Sequence, residues 1–444
     1  MSKKITRRSF IKGAVAAGAV GPLILPNLSL AAPANSRLQH AAIGVGGQGA
    51  SDLGQINSSG KVDVVALCDI DENNLKAAAE RYPKARLYRD WREMLDKEER
   101  NIDSVNVATP DHTHAPASMT AIRKGKHVYT EKPLTHEVYE TRKLTEAARK
   151  YDVATQMGIQ IHAHDFYRTA VIWTREGAIG KVKEWHSWSS AIYTTEDKKR
   201  PAGSDPVPNH VDWDLWLGTA QERPYKKDVY HPFAWRSWRD FGGGATGDFA
   251  CHIFDPVFGA IGVTAPTTIM AQAESNSDEV HPGWVEVEYE FPGTEMTAGK
   301  TIRGTWKDGG KKPNKNRSPH LPKDYELPPS GSMLVGEEGT MIIPHYLMPE
   351  LYPKENFENY PYPEMKTRNH YHEFVEAAMG NTVAGANFDF AGPLTESVLL
   401  ANVANRFPGE KLQWNAKRLR FDGRPDATKL LKRRYRRGFK VKGL

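Results

Sequence analysis

The chain has little cysteine, no long unbroken apolar run and, once its first residues are set aside, almost no net charge. Cys68 and Cys251 are the only cysteines in 444 residues, far apart and both in apolar surroundings. That excludes a disulfide framework and predicts two buried thiols. The apolar stretch "GAVAAGAVGPLILPNLSL" is short and broken by glycine and proline, so it does not predict a membrane-spanning helix. The composition is otherwise that of a globular protein, 39% hydrophobic and 26% charged, which excludes wholesale disorder. The length predicts two domains. Eleven tryptophans and 17 tyrosines are many, and either fill cores or line a carbohydrate site.

What is present begins at the N-terminus. "TRRSFIK" places Arg7 and Arg8 before Phe10 and Lys12, the weakly apolar run follows, and Ala31, Ala32 and Ala34 offer a cleavage site. This pattern predicts a twin-arginine export signal over residues 1–36 and a protein delivered folded to the periplasm, with the twin-arginine machinery as a partner. Five of the six surplus positive charges lie there, leaving about +1 for the remainder, so the basicity of the whole chain says nothing for nucleic acid. One local excess stays. The tail "KLLKRRYRRGFKVKGL", within residues 426–444, holds eight basic residues and no acid. It reads as a solvated extension, with an anionic envelope polymer as the alternative.

From residue 37 to 160 short apolar strands alternate with helical stretches: "LQHAAIGV", "KVDVVALCD", "IDSVNVATP", "KHVYT" and "VATQMGI" are separated by segments such as "DENNLKAAAERYP" and "THEVYETRKLTEAARKYD". That predicts an α/β Rossmann-like domain, a doubly wound parallel sheet. From 161 to 425 the texture changes to period-2 strands, "WVEVEYEFPG" among them, flanked by helices near 165–176, 247–260, 368–380 and 391–406. This predicts an α+β domain built on a large open antiparallel sheet.

The first strand runs into "GVGGQG", whose Gly44, Gly46 and Gly49 have G-x-G-x-x-G spacing; with Gly47 and Gln48 they form a candidate phosphate turn. Glycines there allow a tight turn, close approach of a pyrophosphate and close packing of the helix. Asp69 closes the second strand about 20 residues on, where a carboxylate pairs with a ribose diol and repels a 2′-phosphate. The cofactor this predicts is NAD, with NADP as the alternative. The fourth strand ends "ATPDHTH" and the fifth "YTEKP", so Thr109, Pro110, His114, Glu131 and Lys132 are predicted at the nicotinamide end of the crevice. His114 reads equally as a structural residue at a helix start.

A second cluster is "FGGGATGDFACHIFDPVFGAI". Asp248 and His252, four residues apart, share one helix face as a proton-transfer pair would need. Gly242 to Gly244 let the backbone pass close to a ligand.

Taken together, "GVGGQG", "CDID", "TPDHTH", "TEKPL" and "GGGATGDFACH" resemble the glucose–fructose oxidoreductase, inositol dehydrogenase and rhizopine catabolism (Gfo/Idh/MocA) family of NAD(P)-dependent sugar oxidoreductases, over nearly all of the chain after residue 36. The resemblance implies that Lys132, Asp248 and His252 act together on a sugar or polyol hydroxyl. His252 would take its proton, Asp248 would orient His252, Lys132 would hold the alkoxide, and hydride would pass to the nicotinamide. It implies no metal, and a homo-oligomer, dimer or tetramer, paired through the exposed face of the antiparallel sheet. Export of such an enzyme implies a tightly bound, recycled cofactor.

Weaker substrate candidates are His162, His164 and Tyr167 of "QIHAHDFYR", where the second domain begins, and Trp235 and Arg236 of "HPFAWRSWRDFGGG". Two other functions fit the same residues. One is an NAD-dependent glycoside-cleaving enzyme that oxidises its sugar transiently and eliminates the aglycone; the other is a non-catalytic sugar-binding protein.

Overall fold

The computed structural model describes residues 37–275 and 277–444. The proposed export signal over residues 1–36 lies outside them.

The first half is a run of strand–helix units: β1 (Leu38–Ile43), α1 (Gly47–Asn57), β2 (Val62–Cys68), α2 (Glu72–Arg81), β3 (Arg86–Tyr88), α3 (Trp91–Lys97), β4 (Ser104–Val107), α4 (Asp111–Arg123), β5 (His127–Glu131), α5 (Val138–Tyr151) and β6 (Thr155–Gly158). The six strands are parallel, in the order β3-β2-β1-β4-β5-β6. Helices cover both faces of such a sheet, so its central strands are buried on both sides. β4 is buried along its whole length. Even His40, in the middle of β1, is fully buried, its ring nitrogens bonded to Ser104 Oγ and Asn106 Oδ1. Burial pulls its pKa down to about 4, so it is a neutral core residue. The order reverses between β1 and β4, and that switch point opens the crevice at the carboxyl ends of the strands.

The second half begins with α6 (Asp165–Arg175) and β7 (Val182–Trp188), then α7 (Trp213–Leu217) and α8 (Gly244–Ile261). Strands β8 (Thr268–Ala273), β9 (Val285–Pro292), β10 (Thr301–Lys307), β11 (Gly331–Gly336), β12 (Thr340–Pro344) and β13 (Glu350–Tyr352) follow. The chain ends with α9 (His370–Ala378), α10 (Phe388–Ala404), β14 (Leu412–Asn415), β15 (Arg420–Phe421) and α11 (Pro425–Lys429). The nine strands form one sheet, antiparallel except for the parallel pair β7–β10. β9 shows why it has two unlike faces. Val285, Val287, Tyr289 and Phe291 point inward and are buried, while the alternating glutamates point out. Beneath the inner face runs α8, where Phe254 packs against Trp185 and Trp306. Its nearly complete burial is why the helix reads apolar on most sides, with Thr246, Asp248, His252 and Asp255 as the polar exceptions.

Cys68 and Cys251 are both buried free thiols. No helix among the described residues is long and apolar enough to cross a membrane.

The basic tail is not the solvated extension its composition suggests. Leu431 and Phe439 are buried, and Tyr435 donates to Glu140 Oε1 at 2.5 Å. Arg436, 8% exposed, donates to the carbonyls of Gly218 and Asp214, and Arg433 donates to that of Asp240. Two of the eight cations are therefore spent on backbone carbonyls, and apolar residues at every fourth position dock the segment.

Candidate active site

The strand–helix turn at residues 44–49 forms one wall of a cavity of about 650 Å³. Gly44 has φ +81°, a conformation that favours glycine, and a Cβ there would meet the Ala108 carbonyl oxygen at 2.5 Å. A Cβ at Gly46 would strike the Asn74 amide, so the wall is bare backbone where a pyrophosphate approaches. Gly44, Gly46, Gly47 and Gln48 line the cavity; Gly49 does not. Its Cα sits against the Gly44 carbonyl, so it serves helix–strand packing rather than ligand contact. Gly49→Ala is expected to destabilise the protein by roughly 1–3 kcal/mol through overpacking, read as a lowered denaturant midpoint.

Asp69 lines the same cavity, its carboxylate fixed by the backbone N–H groups of Val45 and Asp71, both at 2.9 Å. Burial raises its pKa and these donors oppose that rise. An arginine distant in sequence lines the cavity with it. Arg89 comes from the end of β3, which pairs beside β2, and lines the cavity. It is tied to Glu72 and to the Ile70 carbonyl. The segment before α7 is tied to the same loop, Glu72 N–H donating to His210 O and Asp212 N–H to Ile70 O, and Leu215 and Trp216 of α7 itself line the cavity.

Thr109, Pro110, His114, Glu131 and Lys132 all line the cavity at its other end. His114 is a clamp rather than a ligand group: its ring nitrogens lie 2.8 and 2.7 Å from the carbonyl oxygens of Pro133 and Thr109, holding the two strand exits together. Glu131 is buried and accepts from Gln160 Nε2 at 2.6 Å. Burial and the nearby Asp52 carboxylate raise its pKa well above the usual range. The Lys132–Pro133 peptide is cis.

Lys132 Nζ makes an ion pair with Asp248 Oδ1, the β5 exit meeting the first turns of α8. Tyr193 OH donates to Asp248 Oδ2 at 3.0 Å, and Arg236 Nε lies 3.4 Å from Oδ1. Burial disfavours the Asp248 carboxylate, but Lys132 and Arg236 outweigh it and hold its pKa well below the usual range. Lys132 stays charged for the same reason: burial opposes the charge, and Asp248 and Glu131 raise the pKa.

His252 lines the cavity one turn along α8. It shares a helix face with Asp248, but Asp248 does not orient it. The Asp248 oxygens are taken by two cations and a phenol, stronger donors than a neutral imidazole, and His252 Nδ1 is buried without a hydrogen-bond partner. Burial, then Lys132 and His345, push its pKa well below the ordinary histidine value. It is a neutral imidazole beside a charged lysine.

Of the weaker candidates, Trp235 and Arg236 line the cavity. His162, His164 and Tyr167 do not. His162 Nδ1 is 2.7 Å from Asp255 Oδ1, and His164 caps the N-terminus of α6. Tyr167 is buried, its OH 2.9 Å from His345 Nδ1.

Sequence reasoning missed Tyr193, His345, Tyr346 and Asp111. His345 follows β12 and its ring lies 5.9 Å from that of His252. Tyr346 and Asp111 line the cavity, and Asp111 accepts from Gly243 N at 2.9 Å. Asp111 stands inside "TPDHTH" and was the legible one; the others sit in aperiodic loops. No cluster of three or more His, Cys, Asp or Glu side chains among the described residues is placed to hold a metal.

A glycine cradle, a buried carboxylate at the ribose position and a lysine–aspartate–histidine group at the far end fit a dinucleotide and define an NAD-binding oxidoreductase crevice. Residues 38–159 match the oxidoreductase family's NAD-binding Rossmann fold, and residues 182–302 match its C-terminal alpha/beta domain. The chain belongs to the Gfo/Idh/MocA oxidoreductase family.

It is 26% identical over 179 residues to the levoglucosan dehydrogenase of Pseudarthrobacter phenanthrenivorans, 40% of this chain and 37% of that protein. It is 30% identical over 163 residues to the glycosyl hydrolase family 109 protein 2 of Bacteroides fragilis, 35% of this chain and 38% of that protein. The chain thus spans well under half the length of these relatives. Among solved structures, the WlbA dehydrogenase of Bordetella pertussis in complex with NADH and UDP-GlcNAcA shares the fold, with a TM-score of 0.60 at 16% identity over 85% of this chain and 99% of that one.

Proposed function

We propose that this protein is an exported oxidoreductase that moves hydride between a sugar or polyol carbinol and a tightly held NAD. The observation that carries the reading is the grouping of charged Lys132, ionised Asp248 and neutral His252 at one end of the dinucleotide crevice. Gly44, Gly46 and Asp69 would hold the cofactor, which when bound supplies the hydride acceptor or donor. His252, already neutral, takes the carbinol proton. The Lys132 ammonium stabilises the developing alkoxide, and Asp248 keeps that ammonium charged and in place. In the reductive direction His252 returns the proton.

Tight binding is supported by α7, whose Leu215 and Trp216 line the crevice and whose preceding segment is tied to Ile70 and Glu72 beside Asp69, and export by the twin-arginine pattern of residues 1–36. The proposed assembly is a homo-oligomer through the outer face of the nine-stranded sheet.

A second reading, transient oxidation followed by elimination from a glycoside, is supported by His345. Burial and Lys132 lower its pKa to about 4, so a second neutral imidazole stands beside His252. Elimination needs such a second acid–base group.

The test is to purify the exported protein, denature it and count the dinucleotide released. About one NAD(H) per chain is expected. Candidate sugars and glycosides are then mixed with the native protein while the bound cofactor's absorbance is followed. No released nucleotide, together with no binding of added NAD or NADP, would overturn both enzyme readings.

A further inference from the structure

Arg236 carries a charge that neither proton removal nor hydride transfer requires. It lines the cavity next to Lys132 and His252. Its guanidinium lies over the rings of Trp235, at 4.3 Å, and Phe233, at 4.5 Å, which fixes the plane of the fork. Only Nε has a protein acceptor, the long 3.4 Å contact to Asp248 Oδ1; among the described residues Nη1 and Nη2 donate to none.

The charges around it do not satisfy it. Asp248 faces Arg236 but is shared with Lys132 and Tyr193, one carboxylate against two cations. Asp111 also faces it, yet is buried with its pKa raised and is bound to the Gly243 N–H. A planar fork held on aromatic faces with both terminal nitrogens free matches the two oxygens of a carboxylate, and is poorly used by a single hydroxyl.

We infer that the substrate is a carboxylate-bearing sugar, a uronic or aldonic acid. Its carboxylate docks on the Arg236 Nη pair while its reacting carbinol lies between Lys132 and His252. The inference rests on the sugar oxidoreductase reading and narrows its substrate class.

The test is calorimetric titration of the NADH-loaded protein with glucuronate, galacturonate, gluconate, glucose and glucose 6-phosphate. At least one of the acids is expected to bind about 10- to 100-fold tighter than glucose, the span that hydrogen bonds to a charged group account for. Arg236→Gln should remove that preference, and Arg236→Lys should restore only part of it, because a point charge replaces the fork. Thermal unfolding of both variants establishes that they are folded. The preference should also shrink as salt is raised.

Equal binding of glucose and the acids, preferential binding of glucose 6-phosphate, binding of none of the acids, or a preference surviving in a folded Arg236→Gln protein would each overturn the inference. Reduction of bound NAD is followed separately. Acid binding without reduction by any sugar would count against the oxidoreductase reading while leaving the carboxylate site in place. Reduction by neutral sugars alone would do the reverse.

Discussion

Lys132→Ala is expected to keep the cofactor and lose hydride transfer by about 10²- to 10⁴-fold in kcat/KM, the combined scale of a lost oxyanion donor and a disrupted proton-transfer site. The lysine directly follows β5; His114 holds the carbonyl of the next residue, Pro133, and Asp248 of α8 holds the ammonium. Its ammonium is the positive charge that acts most strongly on the neutral imidazole of His252, so an alkoxide forming there loses its main stabilising charge in the variant. The glycine turn and Asp69 lie at the other end of the cavity and are untouched, so nucleotide content should stay at the wild-type value.

Removing one partner of a buried ion pair commonly costs about 3–5 kcal/mol. Here the Asp248 carboxylate keeps Tyr193 and Arg236, so the loss should fall at or below the lower end. The discriminating measurement is single-turnover reduction of the bound cofactor, with nucleotide counted on the same sample. Turnover within tenfold of wild type would remove Lys132 from the chemistry; lost turnover with lost nucleotide would make its role structural.

The Rossmann half was legible because its signals are local. Short strands buried on both faces and glycines at fixed spacing are written in windows of a few residues. Lys132 was legible for a related reason: in a doubly wound sheet the end of a strand is the crevice. The partners of the acidic group were not. Asp248 and His252 sit four apart on one helix face, which suggested that they pair, but the chain brings Tyr193, Lys132 and Arg236 to the same carboxylate from three other elements. Competition for a carboxylate is settled by charge and reach in three dimensions, and helical spacing records neither. Arg89 was missed likewise, because β3 returns beside β2 and puts a residue 20 positions away next to Asp69. The tail shows composition outweighing pattern. Eight cations suggested a solvated segment, and Leu431, Tyr435 and Phe439, four apart, were the weaker signal that it docks.

His252→Asn is expected to lower kcat/KM by about 10²- to 10⁴-fold, the range for a lost general base. The wild-type pH profile gives the sharper test. Only the neutral imidazole can accept the carbinol proton, so activity falls as pH drops through the His252 pKa. Burial, Lys132 and His345 place that pKa well below the ordinary histidine value. The profile should therefore be flat from pH 8 down through about 6.5, the ordinary value, and fall only at more acid pH. Replacing Lys132 by the uncharged glutamine removes a charge that holds the pKa down, so the acid limb of the residual activity should move upward.

The same burial has a consequence for stability with the same sign. A histidine neutral in the folded state and ordinary in the unfolded one makes the unfolded chain bind more protons below about pH 6.5. Stability is then full above that value and is lost as pH falls toward the folded pKa. His40 and His345, each lowered to about 4, add to the effect. A urea midpoint lower at pH 5 than at pH 7.5, in a protein still active at pH 5.5, is the expected pair of results. An acid limb at or above the ordinary histidine value would mean that another group, not His252, takes the proton.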